Sequence, residues 1–530
     1  MRDKKVVHMK SRWMKVISLS FIIFHFSFSP VRAQLTFSGS VQSDMLVPRN
    51  DSGTGAEKTG DFLTNTYADL LMQSKYVDAG VRFEFMEYPM PGFESDFEGW
   101  GVPHFWVKGR VGKFELTGGT FYEQFGSGFI LRTYEERSLG IDNSLLGGRV
   151  VVKPFKGVTV KALSGVQRHY WKWNKSLVSG ADAEVHLDEW IPRMQQLDTR
   201  LMMGFSWVNK YEKKEDIYAN PTHKYNLPKF VNAWEYRIGL DKGPWNFLVE
   251  YAEKTQDPSF DNGYNYDKGY ASMISGSYSN KGLSLLLQCK RSENMSFRSK
   301  RSQLGTSSFI NHLPAFTQDQ TYALAAIYPY ATQLADGEMA WQAEAGYNFK
   351  RKTLLGGKYG MNVKVNFSHV RWEGTVNYQD IDVQMSKKLS KSFKLNLMYM
   401  NQRYNQTVVE GHGGMIHSNI FIADGKYQFT PKVTLRGEVQ YLTTGQDQGD
   451  WAYGLLELSL VPHWMFTVSD MWNCGETGLH YYQGLVTYNI KQHRIQGGYG
   501  RTRAGYNCSG GVCRYVPAST GWTISYNYNF

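Results

Sequence analysis

The side chains best placed to do chemistry in this 530-residue chain are charges set one position away from large apolar residues. Glu235 and Arg237 lie among Trp234, Tyr236 and Ile238, and Glu250 lies between Val249 and Tyr251. Lys394 follows Phe393, Arg436 and Glu438 flank Gly437 between Leu435 and Val439, and Arg494 precedes Ile495. Arg82, Glu84, Glu115, Lys161 and Lys254 follow the same rule. In a strand of period two, such charges share one face and the apolar residues share the other. Mixed-sign charges along an inner wall could set ion or solute selectivity in a water-filled pore. They could equally pair across strands inside a filled one, and the pattern alone does not choose.

A second group of charges sits in an unusually apolar segment. Between residues 121 and 149, Arg132, Glu135, Glu136, Arg137, Asp142 and Arg149 stand among Phe129, Ile130, Leu131, Tyr134, Leu139 and Ile141. Such a stretch is costly to leave in water, so it is expected to fold inward as a constriction carrying Arg132, Glu135, Glu136, Arg137 and Asp142. The competing placement is over the mouth of the protein.

Cys508 and Cys513 are separated by Ser509-Gly510-Gly511-Val512, a flexible tether that lets two sulfurs meet, and a disulfide is expected. Two thiols with no clustered histidine are too few for a metal. Cys289 alternates with Leu283, Leu285 and Leu287 and reads as a small apolar residue; Cys474 reads as free. His412, the pair His417-Ser418, and Asp447 and Asp450 could nominally supply base, nucleophile and carboxylates. No spacing selects them, so no catalytic residue, metal or cofactor is expected.

The elements that must position these groups are strands. The last nine residues alternate Trp522, Ile524, Tyr526, Tyr528 and Phe530 with Thr523, Ser525, Asn527 and Asn529, the pattern of a closing barrel strand ending on an aromatic residue. Similar alternation recurs through the chain, as in Val433-Leu435-Gly437-Val439-Tyr441 and Met361-Val363-Val365-Phe367. Aromatic residues make up 15% of the sequence, which suits a barrel with aromatic girdles better than a soluble enzyme. The tally is about 24 strands, within a range of 20 to 26, including spans at 157–171 and 181–189. A single closed antiparallel transmembrane β-barrel fits that number better than several sandwiches.

Tight turns at Asp241-Lys242-Gly243-Pro244, Ser279-Asn280-Lys281-Gly282, Thr430-Pro431-Lys432 and Val461-Pro462-His463 fall on one side by parity. They are assigned to the periplasm, and the long connections 123–143, 211–230 and 293–337 to the exterior. Residues 1–33 read as a signal peptide, with a basic start, an apolar run from Val16 to Phe28, and Val31-Arg32-Ala33 before Gln34. The barrel is assigned to 34–530. Removing 1–33 lowers the formal charge from +11 to about +5, so the main support for a nucleic-acid partner disappears.

Three stretches resemble a Bacteroidota family of outer-membrane β-barrels of unassigned function. They are Phe129-Ile130-Leu131-Arg132-Thr133-Tyr134-Glu135-Glu136-Arg137-Ser138-Leu139-Gly140-Ile141-Asp142; Leu313-Pro314-Ala315-Phe316 with Thr321-Tyr322 and Tyr328-Pro329-Tyr330-Ala331-Thr332-Gln333; and Cys508-Ser509-Gly510-Gly511-Val512-Cys513-Arg514. The resemblance implies fold and compartment and transfers no mechanism.

The expectation is therefore an outer-membrane channel or uptake barrel for small hydrophilic solutes, surrounded by outer-membrane lipid and lipopolysaccharide. The alternative is a barrel closed by its own loops that docks a secretion, assembly or substrate-capture partner, with 293–337 as the docking loop. A barrel-embedded hydrolase comes third.

Overall fold

The computed structural model describes residues 35–530 apart from Leu304, so the expected signal peptide at 1–33 lies outside the described residues. Twenty-four strands form one antiparallel sheet that closes on itself. The first strand, Thr36–Pro48, pairs with Leu63–Gln73 on one side and with the last strand, Ser519–Asn529, on the other. Closure extends to Phe530, which exchanges two 3.0 Å backbone hydrogen bonds with Gly39. Only glycine fits at position 39, because a Cβ there would lie 2.5 Å from the Phe530 ring.

Sequence alternation becomes a two-sided wall. On strand Phe230–Lys242, Tyr236 and Ile238 are about half exposed on the outside, while Glu235 is 0% exposed inside. Leu287, Ile274, Val249, Leu456 and Val468 continue the outer apolar belt, as the lipid side of such a barrel requires. Near the turns that belt carries aromatic groups, with Trp245 packed on Phe247 and Tyr278, and Trp464 on Phe466 and Tyr488.

Connection lengths depart from the expected parity in four places. On the loop side, Tyr170-Trp171 and Glu373-Gly374 are two-residue turns. Glu373 and Gly374 both have positive φ (45° and 85°), the geometry of the tightest hairpin turns, which a glycine in second position permits. On the turn side, residues 187–198 hold a 3-10 turn and the short helix Pro192–Gln196, and 350–360 form a long turn. The expected strand 181–189 is really Lys172–His186. Its first residues were hidden because Lys172, Asn174, Lys175 and Ser176 break the alternation, and the register shifts between Trp173 and Leu177.

The hydrophobic core lies inside the barrel. Phe125, Phe129, Ile130 and Leu131 from loop 122–144 pack with Met295, Phe297, Ile310, Leu313, Leu324 and Ile327 from loop 294–336. Both groups rest on small or aliphatic wall residues such as Val178, Ala233, Ala252, Ala271, Ile420 and Leu442. Each large side chain so buried is worth about 1.5–3 kcal/mol, which is why two long loops can remain in the lumen.

Cysteines introduced singly at Gly243 and Gly445 should label from opposite faces of a membrane; labelling from the same face would overturn the strand assignment. Val249→Arg, on the outer belt, should destabilise the barrel in a bilayer by about 2–4 kcal/mol, measured by urea unfolding from liposomes. The inward-facing substitution Ser275→Arg should cost much less.

Candidate functional site

Loop 122–144 is a folded hairpin. Phe125 N–H donates to Leu131 O (3.0 Å), Gly128 N–H to Phe125 O (2.9 Å), and Thr133 N–H to Glu123 O (2.9 Å). Its tip rests on two wall carboxylates: Ser127 N–H donates to both oxygens of Glu250 at 3.2 Å, and a Cβ at Gly126 would fall 1.9 Å from Glu235 Oε1. Gly126 also has φ 48°, so position 126 is constrained both in backbone and in space.

The descending half of the loop is held by a guanidinium–carboxylate lattice. Arg82 grips Glu135 bidentately (2.7 and 2.9 Å) and donates through Nε to Asp69 (2.7 Å). Arg137 lies beside it, donating to Glu135 (2.8 Å), Asp69 (2.9 Å) and Gln42 (3.2 Å). Deeper in, Arg168 bridges the wall residue Glu84 (2.6 and 3.0 Å) and loop residue Asp142 (2.5 Å), and Tyr122 donates to Asp142 as well (3.0 Å). Planar forks matched to carboxylates give direction as well as attraction. Burial alone would raise the Asp142 carboxyl, but Arg168 and Arg82 outweigh it and hold it at about 2.

Of the five residues expected at a constriction, Glu135, Arg137 and Asp142 are tied to the wall by these bonds. Arg132 and Glu136 are not. The Arg132 guanidinium stacks over Tyr134 at 5.0 Å, and Glu136 accepts from the Ser138 amide and hydroxyl within its own turn.

All six expected lumen charges sit at inward register positions, at two levels. Arg237 is buried against Asp182 (2.6 Å) and Ser206 (2.7 Å), and Glu250 lies under Ser127. Arg436 pairs with Asp424 (3.0 Å) and Glu438. This last group receives the other loop, since Tyr322 donates to Asp424 and Leu324 N–H to Gln440. Lys394 and Arg494 stay exposed near the turn side. Between those levels, Asp69, Lys108, Glu115, Lys161, Glu344 and Lys364 are roughly a quarter to a third exposed. The turn-side half of the lumen is thus a hydrated vestibule of mixed sign, and the loop-side half is filled.

Of the charges that anchor loop 294–336, the sequence pattern picked out Lys254 and missed Lys290, Glu338, Arg301 and Glu212. Lys290 pairs with Glu338 (2.7 Å), which also accepts from Tyr330 Oη (2.6 Å) and Gln333 N–H (3.0 Å). Arg301 pairs with Glu212 (2.9 Å) and Lys254 donates to Ser296 O (2.5 Å), while the neighbouring Lys210–Asp257 pair (2.7 Å) ties the wall to connection 255–268. The signal for Lys290 was available: it has opposite parity to Leu285, Leu287 and Cys289. Histidine 312 belongs to the same plug; burial, with Arg132 and Lys290 nearby, pushes its imidazole down to about 3 and keeps it neutral.

Cys508 and Cys513 are bonded across the hairpin Gly505–Ser509/Val512–Val516. This hairpin, with Arg503 just before it, seals the plug. Gly511 O accepts from Thr332 N–H (2.9 Å), Arg503 donates to Ile327 O (3.0 Å), and Arg514 binds Glu94 (2.9 and 3.1 Å) and Thr306 (2.9 Å). Cys289 faces outward opposite Ile274 and Trp341. The nominal hydrolytic groups are scattered. Ser418 is buried and donates to Gln402 (3.3 Å), His412 is exposed beside Glu410, Asp447 accepts from Tyr328, and Asp450 from Tyr441. Among the described residues, no group of three or more His, Cys, Asp or Glu is placed to hold a metal ion.

The family model described as a family of unknown function, DUF6029, matches residues 9–530. No curated protein matches the chain. Among solved structures, the translocation pore of the P pilus usher PapC is similar at 10% identity with TM-score 0.48, covering 93% of this chain and 99% of that one. The siderophore receptor PirA from Pseudomonas aeruginosa is similar at 8% identity with TM-score 0.41 (95% and 81% covered). OpdK from the same organism, solved with vanillate, is similar at 14% identity with TM-score 0.37 (70% and 93% covered).

Arg168→Met should leave Glu84 and Asp142 without their main partner, a loss of about 3–5 kcal/mol, and should make loop 122–144 cleavable by added protease in an otherwise folded barrel. The Asp142 carboxyl is lower in the folded than in the unfolded chain. Its contribution is therefore complete above the ordinary carboxylate range and disappears as pH falls toward 2. Loop protection should weaken over that window, and Asp142→Asn should remove that part of the pH dependence. Reducing the 508–513 bridge, which closes a very short ring, should lower stability by only about 2 kcal/mol and leave the barrel folded by heat-modifiability on gels.

Proposed function

We propose that this protein, which belongs to the DUF6029 family, is a gated outer-membrane barrel for small hydrophilic solutes, shut at rest by its own loops. Lipopolysaccharide would surround its loop side and phospholipid its turn side. The observation that carries this reading is the pairing of a hydrated, mixed-sign vestibule with a plug held by discrete ion-pair clamps. An open pore would not need Arg82, Arg137 and Arg168 to converge on one loop, and a barrel used only as a scaffold would not need a polar vestibule leading to it.

The clamp lattice runs from the dry plug to the hydrated vestibule. Asp69 and Arg137 are partly hydrated while Glu84 and Arg168 are buried, so a charged solute arriving from the vestibule would meet the exposed half of the lattice first. Competition for Arg137 would weaken its hold on Glu135. Loop 122–144 then acts as the movable element, and loop 294–336 as the more firmly fixed one.

The second reading, a permanently closed interaction barrel, is favoured by the number of buried ties on loop 294–336. Docking through 293–337 does not suit the fold, because most of that loop lies inside the lumen. A partner would use loop-side residues exposed elsewhere, as in 212–229, 255–268, 411–414 and 475–478.

Conductance in planar bilayers tests the choice. The intact protein should be mostly silent, Arg168→Met should show intermittent openings, and deletion of 123–143 should conduct steadily with little ion discrimination. Silence of the deletion variant in a folded barrel would favour the interaction reading; steady conductance of the intact protein would sink the rest-closed gate.

A further inference from the structure

The turn at residues 350–360 is unlike its neighbours. It reads Lys350-Arg351-Lys352-Thr353-Leu354-Leu355-Gly356-Gly357-Lys358-Tyr359-Gly360, with four cations, no acid, and adjacent leucines. Leu354 is 98% exposed and Leu355 52% exposed. The segment is well folded: Lys352 N–H donates to Gly357 O (2.7 Å), Gly357 N–H to Thr353 O (2.8 Å), and Gly360 N–H to Gly356 O (2.8 Å). A Cβ at Gly356 would fall 2.0 Å from Lys350 O, so the tight fold depends on glycine there.

Register shows which side of the wall the turn covers. Phe349 opposes Met361, and Met361 opposes Lys387, all at the outward parity of Tyr347 and Val383. Lys387 Nζ donates to Leu355 O at 3.0 Å. The turn is therefore drawn toward the outer wall beside the apolar belt. The adjoining turn adds Lys388 and Lys391, and residues 387–395 contain no acid. Aromatic contacts Tyr347–Phe349 and Phe393–Tyr427 lie in the flanking strand ends.

We propose that residues 350–360, with Lys387, form a headgroup site for an anionic phospholipid in the leaflet on the turn side. The lipid phosphate would accept hydrogen bonds from Lys350, Arg351, Lys352 and Lys387, while Leu354 and Leu355 enter the acyl boundary. Long cationic side chains at such a boundary keep their charge among headgroups while their stems lie on apolar surface. A basic side chain near an anionic leaflet is worth about five-fold in partitioning, so four acting together make a strong preference. An acidic soluble partner would answer the charges but would leave unexplained two exposed leucines held toward the lipid wall. The inference rests on the membrane-barrel reading above.

The test uses the full barrel with Cys289→Ser and Cys474→Ser, carrying an environment-sensitive fluorophore on Leu354→Cys, in nanodiscs of phosphatidylcholine with or without phosphatidylglycerol. Phosphatidylglycerol should shift the emission to the blue and reduce acrylamide quenching several-fold. Adding Lys350→Gln, Arg351→Gln and Lys352→Gln should abolish the lipid dependence. The same fluorophore on Val249→Cys reports whether the barrel sits in the bilayer. A water-like signal at 249 overturns the membrane reading and this site with it. A lipid-like signal at 249 with no phosphatidylglycerol effect at 354, or an effect that survives the triple substitution, overturns the headgroup site alone.

Discussion

Closure of the first strand on the last is the constraint on which everything else depends. A sheet surrounded by hydrocarbon cannot leave a row of N–H and C=O groups unpaired, so Thr36–Pro48 must find Ser519–Asn529. Once the ring is closed, each residue has only two directions in which to point. Apolar side chains take the outside of the belt and most strand charges are sent into the lumen, while outward charges such as Lys387 and Arg291 lie toward the strand ends. The lumen thereby becomes the one place where polar chemistry can accumulate within the barrel wall, and its contents decide what the barrel does.

Those contents are arranged by depth. Near the turns the inner wall is hydrated and carries both signs, so its charges are screened and individually weak. Toward the loops the same kinds of residue are dry. There a lone charge would be very costly, and the cations are paired with acids: Lys290 with Glu338, Lys210 with Asp257, Arg168 with Glu84 and Asp142. Buried pairs of this sort add little net stability over apolar packing, but breaking one partner is expensive. They hold the plug in one register, while Phe125, Phe129, Phe297 and Leu313 supply most of the attraction. Loop 122–144 is the segment whose clamps reach the vestibule.

The hairpin at 505–516 links the plug to the closing end of the barrel. Its disulfide contributes little by itself, yet Gly511, Arg503 and Arg514 each touch a different part of the plugged assembly. Thr332 and Ile327 are held from above while Lys290, Tyr330 and Glu338 hold from the side. Loop 294–336 is thus fastened at more points than loop 122–144. It also contributes more buried apolar side chains to the core, so both packing and attachment favour loop 294–336 as the fixed portion of the plug.

Period-two alternation was enough to read the barrel, its strand number and the inward direction of Arg237, Glu250, Lys394, Arg436, Glu438 and Arg494, because strand geometry alone sends neighbours to opposite faces. The spacing of Cys508 and Cys513 was enough to anticipate their bond, since a short glycine-containing tether keeps the sulfurs close. It failed where polar residues occupy both faces, as at Lys172–Ser176, and where two residues suffice for a turn, as at Glu373-Gly374. Which charges are hydrated and which are dry was not legible, because Arg237 and Arg494 have the same local pattern and differ only in whether a loop from more than a hundred residues away covers them. The composition of 123–143 pointed inward, but only the tertiary structure decided that Glu135, Arg137 and Asp142 meet Arg82, Asp69 and Arg168. Those partners come from strands that closure of the ring, rather than nearness in sequence, brings to the same level of the lumen.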